Sequence, residues 1–346
     1  MERKLNLDPF TKLKILSCYK EIKQILNGII PFPRVVEIMP SNICNHTCKG
    51  CHSKALHNIN PLFLNFRRLK ALIDEFSKIG VEGMEISGGG EPLLYPQVVD
   101  LIKYANDKKI KVGLITNGTA FDKKMVKELV KNLLFIRLAL DAANRKTYYL
   151  IHGHNDYSKV IDNIRHLVKE RAANRSHITV GLKFLISQLN YNEIPKAAKV
   201  AKSLEVDYLQ FKLLRNSRYE IKKNWLEKIS RLIKYTQNFA EKKFSIINTT
   251  EHSEIKKKCY LTPLHPCIGT NGDVYLCYFF QNRQNLHKIG NIYQDSFKAI
   301  WKSDRHVAAI KNIDPRECNV YDCPINHSVE FIDEALIKNK MHLEFV

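Results

Sequence analysis

From residue 34 onward, short apolar runs alternate with longer stretches in which apolar residues recur at helical spacing. The runs predict strands at 34–41, 83–88, 111–116, 135–141, 178–186 and 208–213. The intervening stretches predict helices at 63–80, 95–108, 122–132, 157–173 and 192–204. Six strands joined by helical crossovers indicate an α/β fold with a parallel sheet, here a partial (β/α)6 TIM-like barrel. Active sites of such barrels lie in the loops that follow the strands.

The chain before this alternation has a pattern of its own. Residues 9–27 predict a basic amphipathic helix, which ends at Gly28 before two closely spaced prolines. We therefore place an N-terminal helical segment at 1–33 and the barrel at 34–245.

The spacing changes again after a helical stretch at 217–243, and several cysteines follow. We interpret residues 246–346 as a small C-terminal domain. Within it, the dipeptide Asn271-Gly272 predicts a hairpin, and a helix is expected at about 295–311.

Composition places the chain among folded proteins, with 346 residues, 45% hydrophobic and 26% charged. The formal net charge is +20, but the lysines are scattered along nearly every predicted helix, which is typical of solvated faces, so we do not expect nucleic-acid binding. No apolar stretch suits a signal peptide or a membrane span, and we expect a cytoplasmic protein. In that compartment, nine cysteines are more typical of metal ligands than of disulfides.

Three of these cysteines, Cys44, Cys48 and Cys51, stand in one loop directly after the first predicted strand. Three thiolates leave one position of a cubane cluster open, which is what catalysis needs and what a structural site avoids. A zinc site completed by His46 or another nearby histidine (His52 or His57) is the alternative that the spacing allows.

The spacing Cys-x3-Cys-x2-Cys after a first strand resembles the signature of the radical S-adenosylmethionine (SAM) superfamily. The resemblance implies a 4Fe–4S cluster that binds SAM at its open iron and cleaves it reductively to a 5′-deoxyadenosyl radical. It also implies an electron donor such as flavodoxin or ferredoxin. The chain departs from the family at Gly50, where an aromatic residue usually precedes the third cysteine.

Loops after the later strands extend the resemblance. The run Gly89-Gly90-Glu91 resembles the family's GGE motif, which implies a role in binding the methionine amino group of SAM. By the same resemblance, Asn117 and Asp141 lie near SAM or substrate, although both residue types also serve as turn or capping residues. The usual serine before that aspartate is Ala139 here, and two lysines on strands five and six, Lys183 and Lys212, could meet an anionic substrate if they point inward.

A second group of cysteines occupies the C-terminal domain. Cys259 and Cys277 flank the predicted hairpin, and Cys318 and Cys323 follow in a later loop, so four thiolates are available for a cubane or for a zinc ribbon. The stretch resembles the auxiliary-cluster domain called SPASM, or twitch in its shorter form, which implies a second 4Fe–4S cluster. Cys267 either replaces Cys259 as a ligand or stays free as a hydrogen-atom donor.

These features predict an enzyme that abstracts a hydrogen atom from a small polar molecule of the sugar or aminocyclitol type, giving dehydrogenation or epimerisation. The small substrate is favoured because only about 33 residues precede the barrel, too few for a leader-peptide recognition domain. Peptide or protein maturation is the alternative within the family. A zinc-stabilised, basic nucleic-acid-binding protein without catalysis is the alternative from another class.

Overall fold

A computed structural model describes most of the chain. The described residues are 9–57, 60, 62–215, 217–250, 259–278, 280, 284–314, 317, 328–329 and 332. The predicted auxiliary ligands Cys318 and Cys323 lie outside them.

The strands form one sheet whose central part is parallel. Its strands are β1 (Val35–Ile38), β2 (Gly83–Ile86), β3 (Lys111–Thr116), β4 (Phe135–Ala139), β5 (Thr179–Ile186), β6 (Tyr208–Leu213), β7 (Ser245–Asn248), β8 (Cys267–Ile268), β9 (Asp273–Tyr275) and β10 (Lys288–Asn291). The strand order is β10-β9-β8-β1-β2-β3-β4-β5-β6-β7, with parallel pairing from β8 through β7. The predicted partial barrel is confirmed, and β7 adds a parallel strand that the sequence pattern did not reveal.

Helices connect the successive parallel strands β1 to β7, and further helices lie before and after them. They are α1 (Tyr19–Leu26), α2 (Phe66–Ile79), α3 (Val98–Asp107), α4 (Lys123–Asn132), α5 (Arg145–His152), α6 (Tyr157–Ala173), α7 (Ile194–Ser203), α8 (Leu226–Thr236), α9 (Gln284–His287), α10 (Phe297–Trp301) and α11 (Asp304–Lys311). Five of them match the predicted crossover segments, whereas α5 was not predicted. None of the described helices is long and apolar enough to cross a membrane.

The two faces of the parallel strands differ in chemistry because side chains alternate along a strand. The outer face is apolar: Val36 and Ile38 of β1 belong to one buried cluster with Leu72 of α2 and with residues of the other crossover helices. The inner face carries polar and charged side chains, namely Glu37, Glu85, Arg137, Lys183, Gln210 and Lys212. The barrel interior is therefore a polar chamber beneath the loops.

The C-terminal part continues the barrel sheet. Strand β8 pairs with β1 in parallel, with Glu37 opposite Cys267, and forms an antiparallel hairpin with β9. Gly272 has a φ of +82°, which a glycine adopts readily, and the predicted hairpin is confirmed. The predicted helix at 295–311 is instead two helices, because Ser303 takes an extended conformation and caps α11 through the His306 N–H.

The N-terminal segment contacts both parts. The predicted helix at 9–27 consists of a 3-10 turn followed by α1, whose Ile22 packs in one apolar cluster with Leu261 and Leu264. Phe10 meets Tyr208 edge to face, with ring centroids 5.7 Å apart. Because Tyr208 alternates with the outward Leu209, the segment reaches the inner face of the barrel.

Candidate functional site

The cysteine loop begins where β1 ends, at the carboxyl edge of the sheet. Gly50 in this loop has a φ of +82°, and a Cβ built there would lie 2.8 Å from the Leu214 side chain. A bulkier residue would be strained in that conformation and would displace Leu214. The departure from the aromatic residue expected at this position thus has a local structural reason.

The same loop is docked on the end of helix α5. The N–H groups of Thr47 and Lys49 donate to the carbonyls of His152 and Ile151, at 3.1 and 2.7 Å. Gly153 ends the helix with a φ of +75°, and a Cβ there would lie 2.1 Å from Thr47 Oγ1. These contacts satisfy carbonyls that a helix end leaves open, and they fix the loop.

Burial shapes the chemistry of the three thiols. It is the largest cause that raises the pKa of Cys44 to about 11, and it also raises the pKa of Cys48 and Cys51. Each thiol therefore keeps its proton until a metal ion displaces it. Among the described residues, the three sulfurs do not form a group with every pair within 4.8 Å, whereas one tetrahedral ion would hold its sulfurs about 3.8 Å apart. At least one pair of these sulfurs is therefore farther apart than the ligands of a single zinc ion.

The glycine-rich run after β2 lies against the cysteine loop. Gly90 donates its N–H to Ser41 O at 2.8 Å, and a Cβ on it would lie 2.2 Å from Ile43 O. At Gly89 the nearest atom to such a Cβ is Ser41 O at 3.4 Å, an ordinary contact. Gly90 is thus the position where the two loops touch through their backbones.

Glu91 is buried beside this contact and holds the loop after β3. Its carboxylate accepts hydrogen bonds from Asn117 N (2.8 Å), Thr116 Oγ1 (2.5 Å) and Leu93 N (2.9 Å). Burial raises the pKa of Glu91, and the hydrogen bonds oppose that rise. A carboxylate offers about four acceptor positions, so one remains for an ammonium group.

Two more predicted residues lie at the same edge. Asn117 donates to Asn45 Oδ1 at 2.9 Å, which joins the β3 loop to the cysteine loop. Asp141 takes a φ of +51° and accepts from Leu185 N at 2.6 Å. The structure therefore brings Asn117 and Asp141 to the loop that holds the thiols.

Two residues of the site, His152 and Asn45, were not predicted from the sequence. His152 is 1% exposed and its Nδ1 lies 3.2 Å from Cys48 Sγ, and Asn45 bridges to Asn117 and Thr119. The only signal for His152 was its place in the segment after the fourth strand, where a histidine has no distinctive spacing.

Lys183 and Lys212 lie on the inner face, as alternation with the buried Leu182 and Phe211 requires. Together with burial, which is the largest cause, their charges lower the pKa of His52 to about 4. Both ammonium groups thus act on the cysteine loop from inside the barrel.

The auxiliary cysteines are described in part. Cys277 Sγ lies 3.6 Å from His287 Nδ1, and Cys259 packs beside the apolar cluster of Leu261 and Leu264. Cys267 is fully buried next to Met39, on the strand that pairs with β1. Burial raises the pKa of this thiol well above its usual value, and the nearby carboxylates add to the rise.

Two models of known families match the chain, one over the barrel and one over the C-terminal part. Residues 38–199 match the model of the radical SAM superfamily, and residues 259–324 match an iron–sulfur cluster-binding domain, SPASM. These matches support iron–sulfur chemistry and catalysis over the zinc-stabilised nucleic-acid-binding alternative.

Individual proteins resemble the chain at low identity. A probable GTP 3′,8-cyclase of Methanocaldococcus jannaschii is 28% identical over 47% of this chain and 53% of its own length. A tungsten-containing aldehyde ferredoxin oxidoreductase cofactor-modifying protein of Pyrococcus furiosus is 21% identical over 84% of this chain and 86% of its own. Streptococcus suis SuiB bound to precursor peptide SuiA shares the fold with a TM-score of 0.66 and 18% identity, covering 90% of this chain and 75% of that one. The match to the first of these relatives spans about half of its length.

Proposed function

We propose that this chain, a radical SAM enzyme with a SPASM iron–sulfur domain, abstracts a hydrogen atom from carbon on a small polar substrate. Its cofactors are SAM, a SAM-binding 4Fe–4S cluster and an auxiliary cluster. When bound, cluster and SAM supply the 5′-deoxyadenosyl radical, while the protein positions and shields the substrate. The substrate class that we propose is a sugar or aminocyclitol, with dehydrogenation or epimerisation as the outcome.

The placement of the described loops supports the roles that we propose for the first cluster and for SAM. We assign the SAM-binding cluster to Cys44, Cys48 and Cys51. The SAM contacts that we propose come from Gly89, Gly90, Glu91, Asn117 and Asp141. The auxiliary cluster would be held by Cys259, Cys277, Cys318 and Cys323. In this assignment Glu91 receives the SAM ammonium at its remaining acceptor position.

The polar chamber is the observation that carries the small polar substrate. Glu85 is partly exposed to it and makes no hydrogen bond or ion pair with another described residue. Glu37 lies opposite it in register, and Lys183 lies across the chamber on β5. A polyhydroxylated or amino-bearing molecule supplies partners for the Glu85 carboxylate and the Lys183 ammonium group, whereas an apolar one would offer them none.

Cys267 decides between the two outcomes in this proposal. Its thiol is on the strand next to Glu37, in the apolar cluster with Met39 and Tyr275. A protonated thiol there suits hydrogen-atom return to a substrate radical, which would give an epimer. As an auxiliary-cluster ligand, Cys267 would instead leave dehydrogenation as the outcome.

Anaerobic reconstitution and an assay with SAM and dithionite test the proposal. We expect the wild type to form 5′-deoxyadenosine, and Cys48→Ala to lose SAM cleavage while retaining its auxiliary cluster. Cys18→Ala is the matched control, because this cysteine packs beside the N-terminal apolar cluster. Full SAM cleavage by Cys48→Ala would contradict the ligand assignment.

Deuterium labelling tests the proposed substrate class and the outcome of the reaction. Deuterium at the reacting carbon of a cognate sugar or aminocyclitol should appear in 5′-deoxyadenosine, and solvent deuterium should enter the product only in an epimerisation. If Cys267→Ala keeps both its iron content and its turnover, neither the ligand role nor the donor role survives.

A peptide or protein substrate is the second candidate. The fold shared with SuiB bound to its precursor peptide, which covers 90% of this chain, supports this candidate. The same deuterium assay with labelled peptides separates the candidates: transfer from a peptide and none from any sugar would replace the first proposal.

A further inference from the structure

Two buried imidazoles lie behind Cys48, where the cysteine loop meets helix α5. One ring nitrogen of His46, one of His152 and the Sγ of Cys48 all lie within 4.8 Å of one another. His46 is 2% exposed and His152 is 1% exposed. Two imidazoles and a thiolate form a ligand set that a divalent transition-metal ion such as Zn²⁺ prefers.

One nitrogen of each ring is held by an acceptor. His152 Nε2 lies 3.0 Å from the carbonyl oxygen of Leu140, which can only accept, so Nε2 carries the proton and the Nδ1 lone pair faces Cys48. His46 Nε2 lies 3.2 Å from Asp156 Oδ2, and its buried Nδ1 has no hydrogen-bond partner among the described residues. Metal-binding histidines are typically oriented in this way, by a carboxylate or carbonyl on the far nitrogen.

The distances also suit one ion. The ring centroids of His46 and His152 are 5.4 Å apart, and a tetrahedral zinc ion would hold two imidazole centroids roughly 5 Å apart. The Nδ1 of His152 lies 3.2 Å from Cys48 Sγ, against about 3.6 Å across a zinc ion. A change of a few tenths of an ångström in the distance between His152 Nδ1 and Cys48 Sγ would admit the ion.

We propose that the cluster-free protein binds one divalent transition-metal ion through His46, Cys48 and His152, with Asp156 orienting the first of these ligands. Binding forms a metal–sulfur bond and releases the Cys48 thiol proton to solvent. Because Cys48 is shared, this ion and the SAM-binding cluster exclude each other. This exclusion rests on the proposed function of Cys48 as a cluster ligand, whereas the metal site itself does not. Zinc occupancy would therefore hold the enzyme in an immature state.

Cobalt substitution tests the site on the cluster-free full chain, prepared anaerobically with a chelator. Titration with Co²⁺ should give one equivalent of a tetrahedral complex with a thiolate-to-cobalt charge-transfer band at this site, in addition to cobalt bound by the cysteines that we propose for the auxiliary cluster, and Zn²⁺ should displace it. His152→Gln should remove that one equivalent and its share of the band. Asp156→Asn should weaken binding about 10- to 100-fold, because it removes the carboxylate that orients His46.

Matched controls separate this site from its neighbours. His154 stacks on His46 with centroids 5.4 Å apart but is exposed, so His154→Gln should leave the cobalt affinity unchanged. His57 Nε2 lies 3.7 Å from Cys51 Sγ, the other thiol–imidazole contact of the loop. Loss of the cobalt band in His57→Gln with retention in His152→Gln would overturn the assignment. Circular dichroism of each metal-free variant checks its fold, and Asp156→Asn remains informative if His152→Gln does not fold.

The exclusion is tested separately. Zinc-loaded wild type should fail to gain the SAM-binding cluster on reconstitution, and His152→Gln should gain it in the presence of the same zinc. If reconstituted wild type forms 5′-deoxyadenosine yet still binds cobalt with the same band, the ion and the cluster do not share Cys48. The proposed function then stands, and the shared ligand does not. If no 5′-deoxyadenosine forms but the cobalt complex does, the proposed function fails and the metal site stands.

Discussion

At the level of single residues, the candidate site depends on close backbone contact between two loops. The N–H groups of Gly90 and Glu91 donate to Ser41 O and Ile43 O, both at 2.8 Å, and so tie the glycine-rich run to the start of the cysteine loop. These contacts join backbone atoms, which cannot move aside as the end of a flexible side chain can. A side chain added at the contact must therefore displace the loop that carries the thiols.

Gly90→Ala is expected to destabilise the cluster-free protein by about 1–3 kcal/mol, because its Cβ would lie 2.2 Å from Ile43 O. The displaced loop should also bind less iron. Thermal unfolding and iron content after reconstitution measure the two effects. Gly89→Ala is the matched control, since its Cβ would meet Ser41 O at 3.4 Å. Equal losses in both variants would contradict the argument.

At the level of elements, the periodicity of the sequence predicted the central strands and the crossover helices. It did not predict features that depend on residues distant in the chain. The strands around Val36 and Leu182 were predictable because buried parallel strands are apolar runs between helical stretches. Strand β7 and the pairing of β8 with β1 were not, because their short segments gain stability only from a neighbouring strand. His152 was missed for the same reason: a partner 104 positions away in sequence defines its role.

The junction of α10 and α11 gives a prediction about pH. His306 is fully buried, its ring lies 4.1 Å from that of Trp301, and its Nδ1 lies 2.7 Å from Trp301 O. Burial lowers the pKa of His306 to about 4 from its usual 6.5. Above pH 6.5 the histidine is neutral in both states and contributes no pH dependence. Between pH 6.5 and 4 only the unfolded chain takes up the proton, so the folded protein loses stability as the pH falls.

Urea unfolding of the cluster-free protein, followed by tryptophan fluorescence, measures this effect. The free energy of unfolding should fall by up to about 1.4 kcal/mol per pH unit in that range, and His306→Gln should remove this part of the slope. His177→Gln, at an exposed position, is the control and should keep the wild-type slope. An unchanged slope in His306→Gln would show that the ring is protonated in the folded protein.

At the level of the whole molecule, the C-terminal part and the barrel form one continuous structure. Strand β8 extends the barrel sheet, Trp301 Nε1 donates to Pro31 O at 2.7 Å, and the Phe297 N–H donates to Glu75 of α2 at 2.6 Å. Cys277, which we propose as a ligand of the auxiliary cluster, is therefore held at a defined position relative to the chamber. Such continuity suits electron transfer between a substrate radical and an auxiliary cluster.

The net charge of +20 is also a property of the whole molecule, because it is a sum over charged residues along the entire chain. Flavodoxins and ferredoxins, the donors that we propose, would be attracted if they are acidic, and such steering accelerates encounter only while salt does not screen it. With a reduced flavodoxin as donor, 5′-deoxyadenosine formation below donor saturation should slow about tenfold between low and high ionic strength. The same salt series with saturating dithionite is the control, and its rate should change little because encounter with the reductant does not then limit the rate. Equal salt dependence with both reductants would contradict the idea that the positive charge steers the protein donor.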